Sequence, residues 1–421
     1  MDCEKQAGQI PENLLFANIF RSFRMAIGPG KLIIALGLIA GIGFVGWSLD
    51  KVTKSVVTTP GSNGRETELD LFLNAPHRLE SYIQKYAPAG QGRGVFSTMW
   101  AFGIEKFHGS LKNLFELNLP GILYNVTQYL TAMEWAFKHH YLYCAVFGLI
   151  NLCLISIAGG AICRIAALQF SRDEKPGISE ALRYSINKFV SFFTAPVFPA
   201  GFVIGVIGLI ALLGLLANIP FGAGELITGI LTPAALVGGA VAAFVLIGAI
   251  AGFNLVFPAI AYDGLDSLDA VSRSFHYIYV RPWRMGIYTA AGVIYGAICY
   301  LFVRFFAFLL LWTTYTGLRI GACLDSKQGL ADKIMAIWPE PSFSRLTLYS
   351  TSAGSLPEKA GAFLVYLFTL IVVGLVVSFI ISFYYSANTV IYALLRNKVE
   401  DMPFDEIYTP LEEANLPQKG A

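Results

Sequence analysis

The sequence predicts an all-α polytopic transmembrane helical bundle of about six spans, with cytoplasmic interfacial helices and an outward-facing helical subdomain. Three observations carry that expectation. First, residues 362–386 contain no Asp, Glu, Lys, Arg or His; 32–49, 141–163, 191–220 and 226–262 are equally uncharged, and 285–312 holds only Arg304. A helix crosses a hydrocarbon core about 30 Å thick with about 20 apolar residues. Second, 55% of the residues are hydrophobic and 14% charged, against about 25% charged in soluble domains; mean hydropathy is +0.60. Third, Lys and Arg gather on alternate flanks of these windows.

The same composition excludes other classes. A net charge of +2 with no block of like charges argues against an electrostatic nucleic-acid binder. No small-x-small site follows the first apolar window, so 32–49 is expected to be an uncleaved anchor. The six cysteines form no CxxC. Cys144, Cys153, Cys163 and Cys299 fall in apolar windows, where packing is the expected role, and Cys3 and Cys323 lie outside them.

Taken in order, 1–31 is a cytoplasmic segment ending in an interfacial helix, and 32–49 is the first span. Residues 50–140 form an outward segment, and 141–312 a four-span core. An outward loop, 313–360, precedes the last span and its extension, 361–396, and a cytoplasmic tail, 397–421. Pro196 and Pro199 should delay the third span to 200–217. The broken piece ending at Pro233 should delay the fourth to 234–257. The other spans are 141–163, 285–307 and 362–386. Basic flanks carry Arg21, Arg24 and Lys31, then Arg164, Arg172, Lys175, Arg183 and Lys188. Arg273, Arg281, Arg284, Arg396 and Lys398 follow, whereas 218–233 has neither Lys nor Arg. Both termini are therefore expected in the cytoplasm, with Trp47 and Trp312 at the outer interface.

Three of those flanks share a design. Ile19-Phe20-Arg21-Ser22-Phe23-Arg24 precedes Pro29-Gly30-Lys31, and Val271-Ser272-Arg273-Ser274-Phe275-His276 precedes Pro282-Trp283-Arg284. Between them, Ser179-Glu180-Ala181-Leu182-Arg183-Tyr184-Ser185 leads to Pro196 and Pro199. Each reads as a short amphipathic helix lying in the inner interface. Ala181, Leu182, Ser185 and Phe189 line one apolar face; Leu268, Val271, Phe275 and Ile278 line another. Ser179 and Asp266 are the expected N-caps.

In the outward segment, 95–116 places Phe96, Met99, Gly103, Phe107, Leu111 and Leu114 on one stripe, and 123–138 reads as a second helix with Glu134 and Lys138 at i, i+4. Residues 51–93 read as loop and short helix, broken at Pro60-Gly61-Ser62-Asn63-Gly64 and Ala89-Gly90-Gln91-Gly92.

Phe257-Pro258-Ala259-Ile260-Ala261-Tyr262-Asp263-Gly264, followed by Ala270-Val271-Ser272-Arg273-Ser274 and Trp283-Arg284, resembles a pattern in bacterial multipass proteins. It is distantly similar to the membrane domain associated with glycerophosphodiester phosphodiesterases. The chain more nearly resembles uncharacterised six-span bacterial integral membrane proteins, a likeness that also covers Gly160-Ala161-Ile162-Cys163-Arg164-Ile165-Ala166 and Ile337-Trp338-Pro339-Glu340-Pro341-Ser342-Phe343. The resemblance implies this topology in a bacterial cytoplasmic (inner) membrane. It supplies no catalytic residues.

Candidate sites are few. Glu105 and His108 share a helix face, and with His139 could hold one metal ion, but the second Glu-x-x-His pair of a dinuclear site is missing. Asp263, Asp266 and Asp269 at i, i+3 and i+6 could hold Mg²⁺ for lipid-phosphate chemistry, although the further Asp pair of such enzymes is absent and acids at a helix start are favoured anyway. Neither outweighs a packing role, so no catalytic residue, metal or cofactor is assigned. Intramembrane polar groups are Asn151, Asn254 and Arg304. Arg304 is expected to snorkel outward or to meet Glu225. Gly37/Gly41, Gly201/Gly205, Gly248/Gly252 and Gly292/Gly296 would let spans pack closely.

The expected activity is that of a non-enzymatic membrane-organising or accessory protein. Arg21, Arg24, Arg183, Lys188, Arg273, Arg281 and Arg284 would contact anionic lipid headgroups, with a homo-oligomer or other membrane proteins as further partners. The alternative is a transporter or channel for a small solute or lipid, its path near Pro196, Pro199, Asn254 and Arg304.

Overall fold

A computed structural model describes residues 16–59, 67–86, 92–218, 223–324, 330–348, 350 and 354–409. The breaker at 60–64 and the tail beyond 409 lie outside these residues, as do most of the second breaker and Cys3. The described residues are helical, mostly α with short 3-10 turns, apart from a two-stranded ribbon and loops. In order, the helices are α1 (Arg21–Ala26), α2 (Pro29–Val52), α3 (Glu68–Asn74), α4 (Leu79–Tyr86), α5 (Val95–Phe115), α6 (Leu119–His139) and α7 (Tyr141–Ser171). There follow α8 (Ile178–Asn187), α9 (Phe189–Leu215), α10 (Ala223–Asp263), α11 (Ser267–Val280), α12 (Pro282–Leu324), α13 (Leu330–Ile337) and α14 (Leu356–Glu400). Strand β1 (Val56–Val57) pairs antiparallel with β2 (Gly92–Arg93).

Among the described residues, six helices are long and apolar enough to cross a membrane: α2, α7, α9 with its last turn, α10, α12 and α14. All six expected windows are therefore helical. Several helices exceed the hydrocarbon: α10, α12 and α14 have 41, 43 and 45 residues, or about 60–70 Å at 1.5 Å per residue.

Two boundaries differ from expectation. Pro196 and Pro199 lie inside α9, and Pro233 and Pro258 inside α10; none of them ends a helix. A proline removes one N–H and crowds one turn, and in a membrane bundle the neighbouring turns can re-satisfy the freed carbonyl. Pro29 and Pro282 instead stand at the first positions of α2 and α12, where the missing N–H costs nothing.

The chain divides into two compact units. Unit one comprises 1–35, 155–301 and 377–421. Its core gathers Cys163, Ala166, Ala167, Phe192, Leu255, Ile260, Tyr262, Tyr277, Ile391 and Leu395. Within it, α11 packs on α9 and α10, burying Ala270, Val271, Ser274, Tyr277 and Ile278. The close approach is made by Gly248 and Gly252: a Cβ on Gly252 would stand 2.7 Å from Ile278 Cδ1, and one on Gly248 3.0 Å from Phe275. This glycine pair thus receives a short helix rather than another span, while Gly201 and Gly205 have nothing within 4 Å. The repeated short helices α1, α8 and α11 each bury one serine completely: Ser22, Ser185 and Ser274. Each serine hydroxyl donates to a backbone carbonyl, of Ile19, Ile157 and Ala270 respectively. Their apolar faces rest on protein, except that Leu268 is exposed. Ser179 falls inside α8, whose N-cap is Gly177, and Asp266 stands at the N-cap of α11 without a capping bond.

Unit two comprises 36–154 and 302–376. Its core packs Val56, Leu69, Val95, Phe102, Ala132, Trp135 and Ala136. The buried positions of α5 are Val95, Thr98, Phe102 and Leu111, so the expected stripe is rotated; Phe107 and Leu114 are exposed. The helix is apolar on two sides, and periodicity could not choose between them. Asp50, in the last turn of α2, accepts from Phe96 N at 3.1 Å, Ser97 N at 2.8 Å and the Tyr143 hydroxyl at 2.9 Å. It caps α5, whose own N-cap residue is Gly94.

Candidate functional site

The densest charge network lies in unit one, and helical spacing builds it. Helix α10 ends at Asp263 because Gly264 follows with φ +68°, the left-handed conformation that glycine alone adopts freely; its N–H closes on Ile260 O at 3.0 Å. Helix α11 presents Arg273 and Tyr277 at i, i+4, and α14 presents Tyr392, Arg396 and Glu400 at i, i+4, i+8. The two stripes meet around Asp263.

The Asp263 side chain is 6% exposed. Its Oδ2 accepts from Arg273 Nη1 at 2.7 Å and from the Tyr392 hydroxyl. Arg396 Nε stands 3.1 Å from Oδ1, an ion pair by distance although the two atoms are not aligned as a hydrogen bond. Tyr277 donates to Glu400 Oε1 at 2.8 Å, and Arg273 Nε lies 3.7 Å from the same oxygen. Burial alone would lower the Arg273 pKa, but Tyr392, Asp263 and Glu400 outweigh it and hold the guanidinium charged above its usual range. Burial, then the bond to Glu400, pushes the Tyr277 phenol above its usual value.

Residues following α14 complete the arrangement. Tyr262 donates to Phe404 O, Arg396 Nη1 to Glu406 O at 2.8 Å, and Arg164 Nη2 to Tyr408 O at 2.9 Å. Arg164 also donates to Ala261 O at 2.9 Å and lies over the Tyr184 ring.

Of the seven basic residues expected to meet headgroups, Lys188 and Arg273 are engaged within the protein. Lys188 Nζ donates to Gly264 O at 2.9 Å and stands 3.8 Å from Asp266. Arg21 lies over the Phe170 ring, and Arg24 is 3.7 Å from Asp173 with both side chains largely exposed. Arg183 and Arg281 are exposed and Arg284 is half-buried. Lys31 is buried in unit one, donating to Gln169 Oε1 at 2.9 Å. Asp269 is exposed. With Asp263 held by arginines, the Asp263/Asp266/Asp269 series is not a converging carboxylate set.

Of the three intramembrane polar groups, Asn254 and Arg304 are held by other elements, whereas Asn151 bonds within its own helix. Tyr384 donates to Asn254 Oδ1 at 2.5 Å, a bridge between α14 and α10. Asn151 Nδ2 donates to Phe147 O one turn back. In unit two Arg304 is 5% exposed and donates to Phe343 O at 3.1 Å and Ser344 O at 2.9 Å, with the Phe107 and Phe343 rings beside it. It is sequestered by carbonyls of the 338–348 stretch rather than snorkelling to solvent.

Glu105, His108 and His139, weighed above as a possible metal set, do not come together: among the described residues no three His, Cys, Asp or Glu side chains converge as metal ligands. His108 instead has its pKa lowered, by burial and then by Arg304 and Arg345. The carboxylate–imidazole pair that does form is Glu68–His140, at 3.6 Å with side chains 3% and 8% exposed. Glu68 further accepts from Val57 N at 3.3 Å and Trp135 Nε1 at 3.2 Å. Burial raises the Glu68 pKa, but His140, Val57 and Trp135 together bring it below its usual value. No spacing rule joins residues 68, 135 and 140. Arg164 and Asp263 stood inside motifs already notable in the sequence, while Tyr392, Arg396 and Glu400 were detectable only as a polar stripe on the extension of the last span.

These features define the class: an all-α, multipass, six-span transmembrane protein. No family model matches the chain, and no curated protein or solved structure does either.

Proposed function

We propose that the protein is a non-enzymatic organiser of a bacterial cytoplasmic membrane, acting through helix and lipid contacts, with both termini and helices α1, α8 and α11 on the inner side. The observation that carries this reading is the lip where α11 meets α12. Val280, Arg281 and Trp283 are all exposed there, Trp283 at 85%, while the other face of α11 is covered by α9 and α10. An exposed indole beside guanidinium groups suits the headgroup level of an anionic leaflet. Arg21, Arg24 and Arg183 are exposed as well and, with Arg284, belong to the same leaflet in this reading. The pairing of Asn254 with Tyr384 and of Arg304 with two carbonyls further supports an organiser, since a solute path would present such groups to cargo. The resemblance to six-span bacterial membrane proteins is in keeping with this reading.

The test replaces Arg183, Arg281 and Arg284 with Gln and measures bound phosphatidylglycerol against phosphatidylcholine by native mass spectrometry. A basic residue at an anionic surface is worth about 1 kcal/mol, roughly five-fold in binding. The triple variant should lose most of the preference for the anionic lipid; an unaltered preference would overturn the reading. Solute flux through vesicles holding the wild-type protein, above that of protein-free vesicles, would establish transport instead.

A further inference from the structure

The residues that follow α14 are held in a way that helix packing does not require. Carbonyls of alternate residues are captured by side chains of three different helices: Phe404 by Tyr262 of α10, Glu406 by Arg396 of α14, and Tyr408 by Arg164 of α7. Tyr408 N returns a bond to Tyr262 O at 3.0 Å, and Arg172 Nε reaches Asp405 O at 3.5 Å. The chain turns at Phe404–Asp405, and capture of its carbonyls by side chains is the mark of a segment read through its backbone, as peptides are. Side chains anchor the same stretch. Ile407 is 3% exposed, Phe404 meets the Phe170 ring edge-on at 5.5 Å, and the Tyr408 ring lies on Gly264, where a Cβ would come within 2.4 Å. Pro403, Asp405 and Glu406 point to the exposed side. Helix α14 stops at Glu400, and Asp401 takes φ +52°, so the stretch leaves the helix through a strained joint and lies as a separate piece. Its receptor residues Arg164 and Arg396 are each 5% exposed, and an empty cradle would take one carbonyl acceptor from each, leaving Arg164 its bond to Ala261 O.

We propose that Arg164, Tyr262, Gly264 and Arg396 form a binding site for a peptide that turns at its first anchor and carries apolar anchors spaced as Phe-x-x-Ile-Tyr, and that residues 402–409 occupy it as a tethered, releasable ligand. The binding energy resides in the peptide backbone and three anchors, so the same sequence supplied as a free peptide competes for the site once the tethered copy is weakened.

The experiment uses the full chain carrying Ile407→Asp and a fluorescent peptide of sequence Asp401–Thr409. Saturable binding to the variant, at least ten-fold tighter than to wild type and abolished when the peptide itself carries Ile407→Asp, is the expected result. Equal binding to both chains, or none to a variant that melts like wild type, would overturn the proposal. Should the variant fail to fold, hydrogen exchange on the wild-type protein decides. The Tyr408 amide should be protected at least ten-fold over the free peptide yet exchange faster than the amides of Ile260 and Tyr262. Exchange of Tyr408 only together with those helical amides, or no protection at all, would refute a releasable ligand.

Discussion

Asp263 neutralises two guanidinium groups that the middle of α11 and the end of α14 bring to it, and its carboxylate is nearly withdrawn from solvent. Removing one member of a buried ion set leaves the remaining charges desolvated and unpaired, typically at about 3–5 kcal/mol. Asp263→Asn is therefore expected to cost that much in unfolding free energy, measured by chemical denaturation in detergent. The paired change Asp263→Leu with Arg396→Met should cost less than the single one, because it removes charge on both sides; a larger loss in the double variant contradicts this account. Glu68 gives a pH prediction. Its folded pKa lies below the ordinary 4.5, so its contribution is fully present above that value and is lost as pH falls through the depressed one. The gap in melting temperature between wild type and Glu68→Gln should accordingly narrow below about pH 4.5. A gap independent of pH would show that Glu68 does not act as a carboxylate there.

Helices in this chain are completed by residues far away in sequence. Helix α5 has a glycine at its N-cap, and its first N–H groups are satisfied by Asp50 of α2. Asp50→Ala should cost about 1–2 kcal/mol, the usual worth of a cap, and should speed hydrogen exchange at the Phe96 and Ser97 amides while leaving those of α10 unchanged. The short helices α8 and α11 show what an amphipathic pattern does and does not say. Apolar positions at i, i+3 and i+4 announced a buried face, and Ala181, Ser185, Val271 and Ile278 are indeed buried. The pattern left open whether lipid or protein would cover that face, because both are apolar. Glycines at 248 and 252 decided it for α11 by giving Phe275 and Ile278 room against α10. In α9 and α10 the prolines predicted breaks that a continuous helix overrides, since local propensity is weaker than the demand to satisfy backbone groups in an apolar medium.

Across the whole molecule, residues 234–262 of α10 lie between the 218–233 connection, which has neither Lys nor Arg, and the basic 263–284 stretch; at 1.5 Å per residue they span about 44 Å, longer than a bilayer core is thick. Cysteine labelling in sealed vesicles should find these two stretches on opposite faces of the membrane; labelling from one face alone would break the six-span topology. That topology was legible from the chain itself. Long uncharged windows such as 362–386 have one stable solution in hydrocarbon, a helix, and no partner is needed to choose it. The candidate site was legible only in part. Asp263 and Arg273 stood out as charges beside an apolar span, but their meeting with Tyr392, Arg396 and Glu400 depends on how α10, α11 and α14 pack. The same holds for Glu68 with His140, for Arg304 with the carbonyls of Phe343 and Ser344, and for the alternate carbonyls after Asp401. Solvent preference is a property of each segment and can be read residue by residue. Which buried charge meets which partner depends on contacts a few ångströms long between segments tens to hundreds of residues apart, and only the folded chain settles those.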